Sequence, residues 1–166
     1  LIFALMAIST VNAQERAYHI EHEWAKIWIN QDGTIDLFYD LSLTLNSGAN
    51  INYVFIGQPQ RDFSVGEAVD QYGRSLSTSD ESSGSDYKVR VNLYEPLRAG
   101  QTVRFNLTTN VASMVWEDTQ NEGNVGMQFT PTWWDEANVN DLRVLVVLPA
   151  GVSSDMVKTT EVLWDN

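Results

Sequence analysis

Apolar and polar residues alternate along three long segments of this chain. In residues 34–45, TIDLFYDLSLTL, every second position from Ile35 to Leu45 is apolar, and only Phe38 interrupts the polar positions between them. The same period of two recurs in residues 86–94, DYKVRVNLY, and in residues 102–111, TVRFNLTTNV. A period of two describes a strand with one buried face. These segments therefore predict half-buried strands of an antiparallel sheet.

Turn signals separate these segments. Asp32-Gly33 lies between two alternating runs and is the strongest hairpin signal, because a tight turn matched to strand twist needs a positive φ. Further glycines in polar surroundings recur along the chain, at Gly48, Gly73, Gly100 and Gly123. No segment keeps a helical period with caps. The pattern predicts an all-β antiparallel sandwich, immunoglobulin-like or jelly-roll-like, of about nine or ten strands.

The two ends of the chain have a different character. Residues 1–13 combine an apolar run with the small residues Val11 and Ala13, which indicates the second half of a secretory signal peptide cleaved before Gln14. We assign residues 14–152 to the sandwich domain and residues 153–166 to the start of a further strand or domain. Within the sandwich, residues 142–152, LRVLVVLPAGV, are almost continuously apolar, which predicts a central strand covered on both faces.

Charge and composition exclude some functions. The net charge is -12, from 22 acidic and 10 basic residues, so the chain would repel nucleic-acid backbones. There is no cysteine, so an exported domain must be held by its core rather than by disulfides. We expect an extracytoplasmic protein, secreted or at the cell surface, with no nucleic-acid partner.

Motifs for catalysis or metal binding are incomplete. The stretch HIEHEWAK places Lys26 where a zinc-binding HExxH helix needs its second histidine, and in a regular strand His19 and His22 point to opposite faces. Residues 77–86, STSDESSGSD, offer Asp80, Glu81 and Asp86 as calcium ligands, but the spacing does not match an EF-hand and a polar loop is the simpler interpretation. We expect no metal, no cofactor and no catalytic residues.

The stretch FTPTWWDEANVND, residues 129–141, is the first candidate ligand site. Continuing the inward positions of Val125, Met127 and Phe129 predicts Trp133 in the core and Trp134 partly exposed. Trp134, Asp135 and Glu136 could then form a ligand platform, or a glycosidase subsite with two carboxyl groups. Two core residues at the end of a strand are the alternative.

A second concentration of aromatic residues lies in YHIEHEWAKIWIN, residues 18–30. Tyr18, Ile20, Trp24 and Trp28 share one parity, which predicts a stripe facing the core. The alternative is an exposed strip on a sheet face, in which Trp24 and Trp28 would bind a polysaccharide. Alternation fits both interpretations, because it shows which residues share a face of the strand but not which face is exposed to solvent.

Asn106-Leu107-Thr108 is an N-glycosylation acceptor, and the alternation of its segment points Asn106 outward. Export would make a sugar at this position plausible.

The segments PLRAGQTVRF and LRVLVVLPAGV, with the hairpin WINQDGTIDLFYDLSL after an apolar leader, resemble extracytoplasmic N-terminal domains of predicted archaeal and bacterial membrane proteins of unknown function. The resemblance implies a surface-exposed sandwich followed by further domains or a membrane anchor. We expect a non-catalytic structural or interaction module whose partners are polysaccharides or other surface proteins. The alternatives are a carbohydrate-binding accessory module and a glycoside hydrolase fragment.

Overall fold

The structure is a computed structural model that describes residues 16–134 and 137–159. The predicted leader at residues 1–13, the candidate residues Asp135 and Glu136, and residues 160–166 lie outside the described residues. The described part is all-β, as predicted, with ten strands and one short 3-10 turn at Ser154–Met156. The strands are β1 (Ala17–Ile29), β2 (Ile35–Ser47), β3 (Ile51–Gly57), β4 (Phe63–Asp70), β5 (Thr78–Asp80), β6 (Lys88–Leu97), β7 (Gln101–Val111), β8 (Val115–Glu117), β9 (Val125–Met127) and β10 (Leu142–Val147).

The strands form two main sheets and a small hairpin. The large sheet has the order β10-β1-β2-β7-β4, the small sheet has the order β3-β6-β5, and β8 pairs with β9. The pairs are antiparallel except β1 with β10, which run parallel, so the expectation of a purely antiparallel sandwich needs this one correction. β10 follows β9 only after a long connection, and it enters the sheet at the edge beside β1.

The hairpin predicted at Asp32-Gly33 is confirmed. β1 and β2 pair on either side of it, and Gly33 adopts a φ of 84°. Asp32 fixes the turn, because its Oδ1 accepts hydrogen bonds from both the backbone N–H and the hydroxyl of Thr34. The sequence therefore specified both the position of this turn and the residue that carries its positive φ.

The core lies between the two main sheets. The alternation of β2 is confirmed, because its six apolar residues from Ile35 to Leu45 are all buried. Facing them from the small sheet are Val54, Ile56, Val89 and Val91, all buried. A buried hydrogen bond also joins the sheets, from the hydroxyl of Thr109 to Oε1 of Gln58 at 2.9 Å. The outer face of the large sheet, by contrast, carries polar and aromatic side chains.

The prediction for residues 142–152 is wrong. β10 is an edge strand rather than a central one, and its side chains from Leu142 to Val146 are exposed. A continuous apolar run is typical of a strand covered on both faces, but none of the described residues covers this one.

Candidate functional site

A β-bulge in β1 decides which residues face solvent. Ile20 pairs with Leu43 but His22 pairs with Ser42, so one extra residue, Glu21, stands in β1 without a partner position on β2. An extra residue reverses the alternation that follows it. Before the bulge Ile20 faces the core, and after it Glu23, Ala25 and Ile27 do.

This bulge corrects two expectations. Trp24 and Trp28 do not share a core-facing stripe with Tyr18 and Ile20; they lie half-buried on the outer face of the large sheet. The two histidines, expected on opposite faces, both face outward. His19 pairs with Thr44, whose hydroxyl is on the exposed side, and His22 lies 3.0 Å from the carboxylate of Asp40.

Asp40 is the centre of a polar cluster on this outer face. Its Oδ1 contacts Nε2 of His22 at 3.0 Å and accepts a hydrogen bond from Nε of Arg104 at 2.8 Å, while its Oδ2 accepts one from Nη2 of Arg104. Burial of the carboxyl group works against ionisation, but the hydrogen bonds from Arg104 and His22 outweigh it, so the pKa of Asp40 is lowered. The cluster links β1, β2 and β7.

Trp24 is engaged within the protein. The ring of His22 stacks on it with centroids 4.2 Å apart, the guanidinium of Arg143 lies 4.8 Å from its ring centroid, and its indole N–H donates to Asp141 at 3.1 Å. Arg143 lies opposite Trp24 in the parallel pairing of β10 with β1. These contacts give Trp24 a structural role in attaching β10, and they leave Trp28 as the better placed of the two candidates for a ligand.

Trp28 borders an open groove of about 350 Å³ that crosses β1, β2, β7 and β4. Its lining combines the rings of Trp28 and Phe38 with polar side chains, namely those of Asp36, Ser64, Thr108 and Asn110. The carboxylate of Asp36 is oriented by two amides, since it accepts hydrogen bonds from Asn30 at 3.1 Å and from Asn110 at 2.8 Å. Aromatic rings beside convergent polar groups are typical of ligand sites.

The predicted site at residues 134–136 is only partly described. Trp133 is 81% exposed, so its predicted place in the core is wrong, whereas Trp134 is half-buried and packs against the core. The indole N–H of Trp134 donates to Oε2 of Glu23 at 2.7 Å. Asp135 and Glu136 lie outside the described residues, so a carboxylate pair at this point stays a prediction. Trp134 itself packs against the core and has a structural role.

Glu23 is a residue that the sequence did not single out beyond the incomplete HExxH motif. It is fully buried, and its Oε1 accepts the backbone N–H of Thr132 at 2.8 Å while its Oε2 accepts from Trp134. Burial raises the pKa of Glu23, and these hydrogen bonds oppose the rise. Burial, and secondly the charge of Glu23, also raise the pKa of Tyr39, whose buried hydroxyl has no hydrogen-bond partner among the described residues.

A further surface that sequence reasoning missed combines cations with exposed rings. The guanidinium of Arg90 lies 3.9 Å from the ring centroid of Tyr53, and that of Arg74 lies 4.0 Å from the ring of Tyr94 and 4.9 Å from that of Tyr72. Arg74 also pairs with Asp70 at 2.7 Å. These cations and rings satisfy one another closely, whereas the cation over Trp28 is more distant, with Nζ of Lys26 5.6 Å from its ring centroid.

The described residues give no metal site. No group of three or more His, Cys, Asp or Glu side chains in residues 16–134 and 137–159 could hold a metal ion. In residues 77–86, weighed as a calcium loop, Thr78–Asp80 forms β5, Asp80 accepts the backbone N–H of Ser82, and Asp86 pairs with Lys88. Nor is there, in the same residues, a helix long and apolar enough to cross a membrane.

Asn106 lies on β7 between Phe105 and Leu107, which are buried, so its predicted outward orientation is confirmed. It pairs with Asp40 on β2 and with Val69 on β4 and is half-buried. Its glycosylation stays a prediction.

Comparison with known proteins identifies a fold. No family model matches the sequence, and no curated protein matches it. Among solved structures, a two-domain M1 zinc metallopeptidase variant bound to L-arginine matches with a TM-score of 0.51 and 16% identity, over 80% of this chain and 33% of that one. At that identity the likeness shows a shared fold only.

Two further structures match less well. The M1 zinc metallopeptidase of Deinococcus radiodurans has a TM-score of 0.44 and 19% identity, over 58% of this chain and 20% of its own. The leukotriene A4 hydrolase of Saccharomyces cerevisiae has a TM-score of 0.45 and 9% identity, over 64% of this chain and 18% of its own. In all three matches the chain spans a third or less of the solved protein.

Proposed function

We propose that this chain is a non-catalytic, extracytoplasmic β-sandwich domain that serves as an interaction module of a larger secreted or surface-anchored protein. The observation that carries the proposal is the exposed apolar edge strand β10. Its residues Leu142, Val144, Leu145 and Val146 are 52%, 44%, 52% and 39% exposed.

Both faces of β10 contribute to this apolar edge. Val144 pairs with Ala25 and Val146 with Ile27, which places them on the core side of the sheet, whereas Leu145 pairs with Lys26 on the outer side. An exposed, apolar edge strand has unpaired backbone groups and is a template for association. A domain that works alone usually blunts such an edge with charge, yet β10 has one charged residue, Arg143.

We assign the occupant of this edge to a neighbouring domain of the same polypeptide. Support comes from the shared fold, because the matched region is a third of the chain in the two-domain peptidase variant. A domain joined through the same chain meets the edge at high effective concentration, so a modest apolar surface is enough to hold it.

The experiment compares hydrogen exchange of β10 in the longer polypeptide and in the isolated 166-residue chain. We expect the amides of residues 142–147 to exchange more slowly in the longer protein, because a neighbour covers them. Equal exchange rates in the two proteins would overturn the proposal.

Leu145→Lys gives a second test of the same edge. Leu145 faces the outer side, so a lysine there leaves the core intact while it charges the proposed contact. The substitution should expand the longer protein in small-angle scattering. Val125→Lys is the matched control, since Val125 is 68% exposed on the separate β8–β9 hairpin and should leave the dimensions unchanged.

The extracytoplasmic part of the proposal rests on the apolar leader and the cysteine-free, acidic composition. N-terminal sequencing of the protein from its native source tests it. We expect the mature chain to begin at Gln14, and a protein that retains residues 1–13 after export would contradict the cleavage site.

A further inference from the structure

The groove beside Trp28 lies on the opposite side of β1 from the edge strand and extends to β4. Its volume of about 350 Å³ is within the range of roughly 300–1,000 Å³ that is usual for small-molecule sites. Four strands contribute to its walls, so its shape is fixed by the sheet rather than by a loop.

The two rings of the groove have no role in the core. Neither Trp28 nor Phe38 belongs to the core cluster or to the side chains packed against it. Phe38 is the residue that interrupts the polar positions of β2, where Asp36, Asp40 and Ser42 otherwise face outward. Two half-buried rings beside the polar side chains of this sheet face are well suited to contact an apolar surface of a ligand.

Hydrogen-bonding groups surround these rings. Asp36 is held in place by the amides of Asn30 and Asn110, which leaves further lone pairs on its oxygens for a ligand hydroxyl. Among the described residues, neither the hydroxyl of Ser64 nor the indole N–H of Trp28 has a hydrogen-bond partner, so both are available to a ligand.

Gly66 keeps the β4 side of the groove open. A Cβ at this position would lie 2.4 Å from Oγ1 of Thr108, closer than atoms can approach. The register of β4 shifts between Val65 and Ala68, so the strand is bulged here, and the hydroxyl of Thr108 accepts the backbone N–H of Glu67. The glycine therefore allows the backbone of β4 to approach β7 without a side chain in the groove.

We infer that this groove binds a neutral oligosaccharide, with sugar rings packed on Trp28 and Phe38 and sugar hydroxyls bonded to Asp36, Asn110 and Ser64. A sugar ring presents an apolar C–H face and a rim of hydroxyls, which matches this combination of aromatic and polar groups. The carboxylate of Asp36 and the net charge of -12 disfavour acidic sugars and phosphates. The inference is independent of the edge strand β10.

The experiment titrates the ¹⁵N-labelled 166-residue chain with cellohexaose, xylohexaose, mannohexaose and maltohexaose, and with hexagalacturonate as the acidic comparator. We expect at least one neutral sugar to shift the Trp28 indole N–H and the Gly66 amide, with little effect from hexagalacturonate. Absence of binding to all four neutral sugars at millimolar concentration, or tighter binding of hexagalacturonate, would overturn the inference.

Variants then place the binding in the groove. Trp28→Ala and, separately, Phe38→Ala should each weaken the affinity for the bound sugar at least tenfold, while Trp28→Phe should retain part of it. Trp133→Ala is the matched control, because Trp133 is exposed and lies outside the groove, and it should leave the affinity unchanged. Shifts that map away from the groove in the unmodified chain would overturn the assignment without reference to any variant.

Discussion

The indole nitrogen of Trp134 lies 2.7 Å from Oε2 of Glu23, 111 positions away in the chain. A fully buried carboxylate is costly unless hydrogen bonds compensate for its lost hydration. Here the donors are the indole of Trp134 and the backbone N–H of Thr132. Glu23 therefore fixes the segment before β10 onto β1, and Trp133, which has no such bond, points into solvent.

The first prediction concerns this bond. Trp134→Phe keeps an aromatic ring but removes the N–H donor, so Oε2 of Glu23 loses a partner in a buried site. We expect a loss of about 2 kcal/mol in the free energy of unfolding, the scale of a hydrogen bond to a charged group. Urea denaturation followed by circular dichroism measures it. Trp133→Phe is the matched control, and an equal loss in both variants would contradict the assigned roles.

The second prediction concerns the pH dependence of Glu23. Its pKa is raised in the folded protein above the ordinary value of 4.5. The folded state therefore holds this proton more tightly than the unfolded state, and the contribution of Glu23 to stability falls as the pH rises above 4.5 through the raised pKa. Glu23→Gln does not titrate, so the stability difference between the two proteins should show this fall alone.

Denaturation of both proteins at several pH values between 4.5 and 8 makes the comparison. We expect the advantage of the unmodified protein over Glu23→Gln to be greatest at the acid end and to shrink as the pH rises. An advantage that grows with pH would show that the pKa of Glu23 is lowered, not raised.

Local sequence patterns predicted the strands whose alternation is regular. In β2, β6 and β7 the apolar residues predicted to face inward are buried or half-buried, since a period of two identifies a face without further information. The five glycines that the sequence marks as turns all have positive φ, as at Gly33 and Gly100, because only glycine adopts that conformation without strain. The all-β class followed from these two signals together.

Other features depend on contacts between distant residues. The bulge at Glu21 reverses the faces of Trp24 and Trp28, and no local pattern marks where an extra residue will be accommodated. The alternation of inward and outward positions also stops holding before Trp133. There the hydrogen bond to Glu23, rather than alternation, decides that Trp134 is the tryptophan that turns inward. The position of β10 at an edge could not be inferred from the sequence. An apolar run indicates that a strand is to be buried, but it does not show which other strand or domain buries it.

The third prediction concerns Asp40. Its pKa is lowered below the ordinary value of 3.8 because the hydrogen bonds from Arg104 and His22 outweigh the effect of burial. The stabilisation is present above that ordinary value and is lost as the pH falls through the lowered pKa. Asp40→Asn should lower the free energy of unfolding by about 1–2 kcal/mol near neutral pH. The expected loss is small because the side chain of Arg104 is half-exposed and solvent screens its charge.

Urea denaturation at neutral pH and at pH values below 3.8 tests this. The difference in the free energy of unfolding between the unmodified protein and Asp40→Asn should become smaller at the acid pH values. Asp86→Asn is the control, because Asp86 pairs with Lys88 at an exposed site and should change stability little. A stability difference that stays constant with pH would mean that the charge of Asp40 does not stabilise the cluster.

The fourth prediction concerns the close approach of β4 to β7. Gly66→Ala would place its Cβ 2.4 Å from Oγ1 of Thr108, so one of the two strands must shift. We expect a loss of about 1–3 kcal/mol, the usual cost of forcing an extra methyl group into a packed site. The double variant Gly66→Ala/Thr108→Ala removes the nearest clashing atom and should recover part of the loss.

Gly57→Ala is the matched control in another strand, since its Cβ would meet no atom closer than 3.8 Å. Similar unfolding midpoints for Gly66→Ala and Gly57→Ala would show that β4 and β7 are not held as closely as the structure places them.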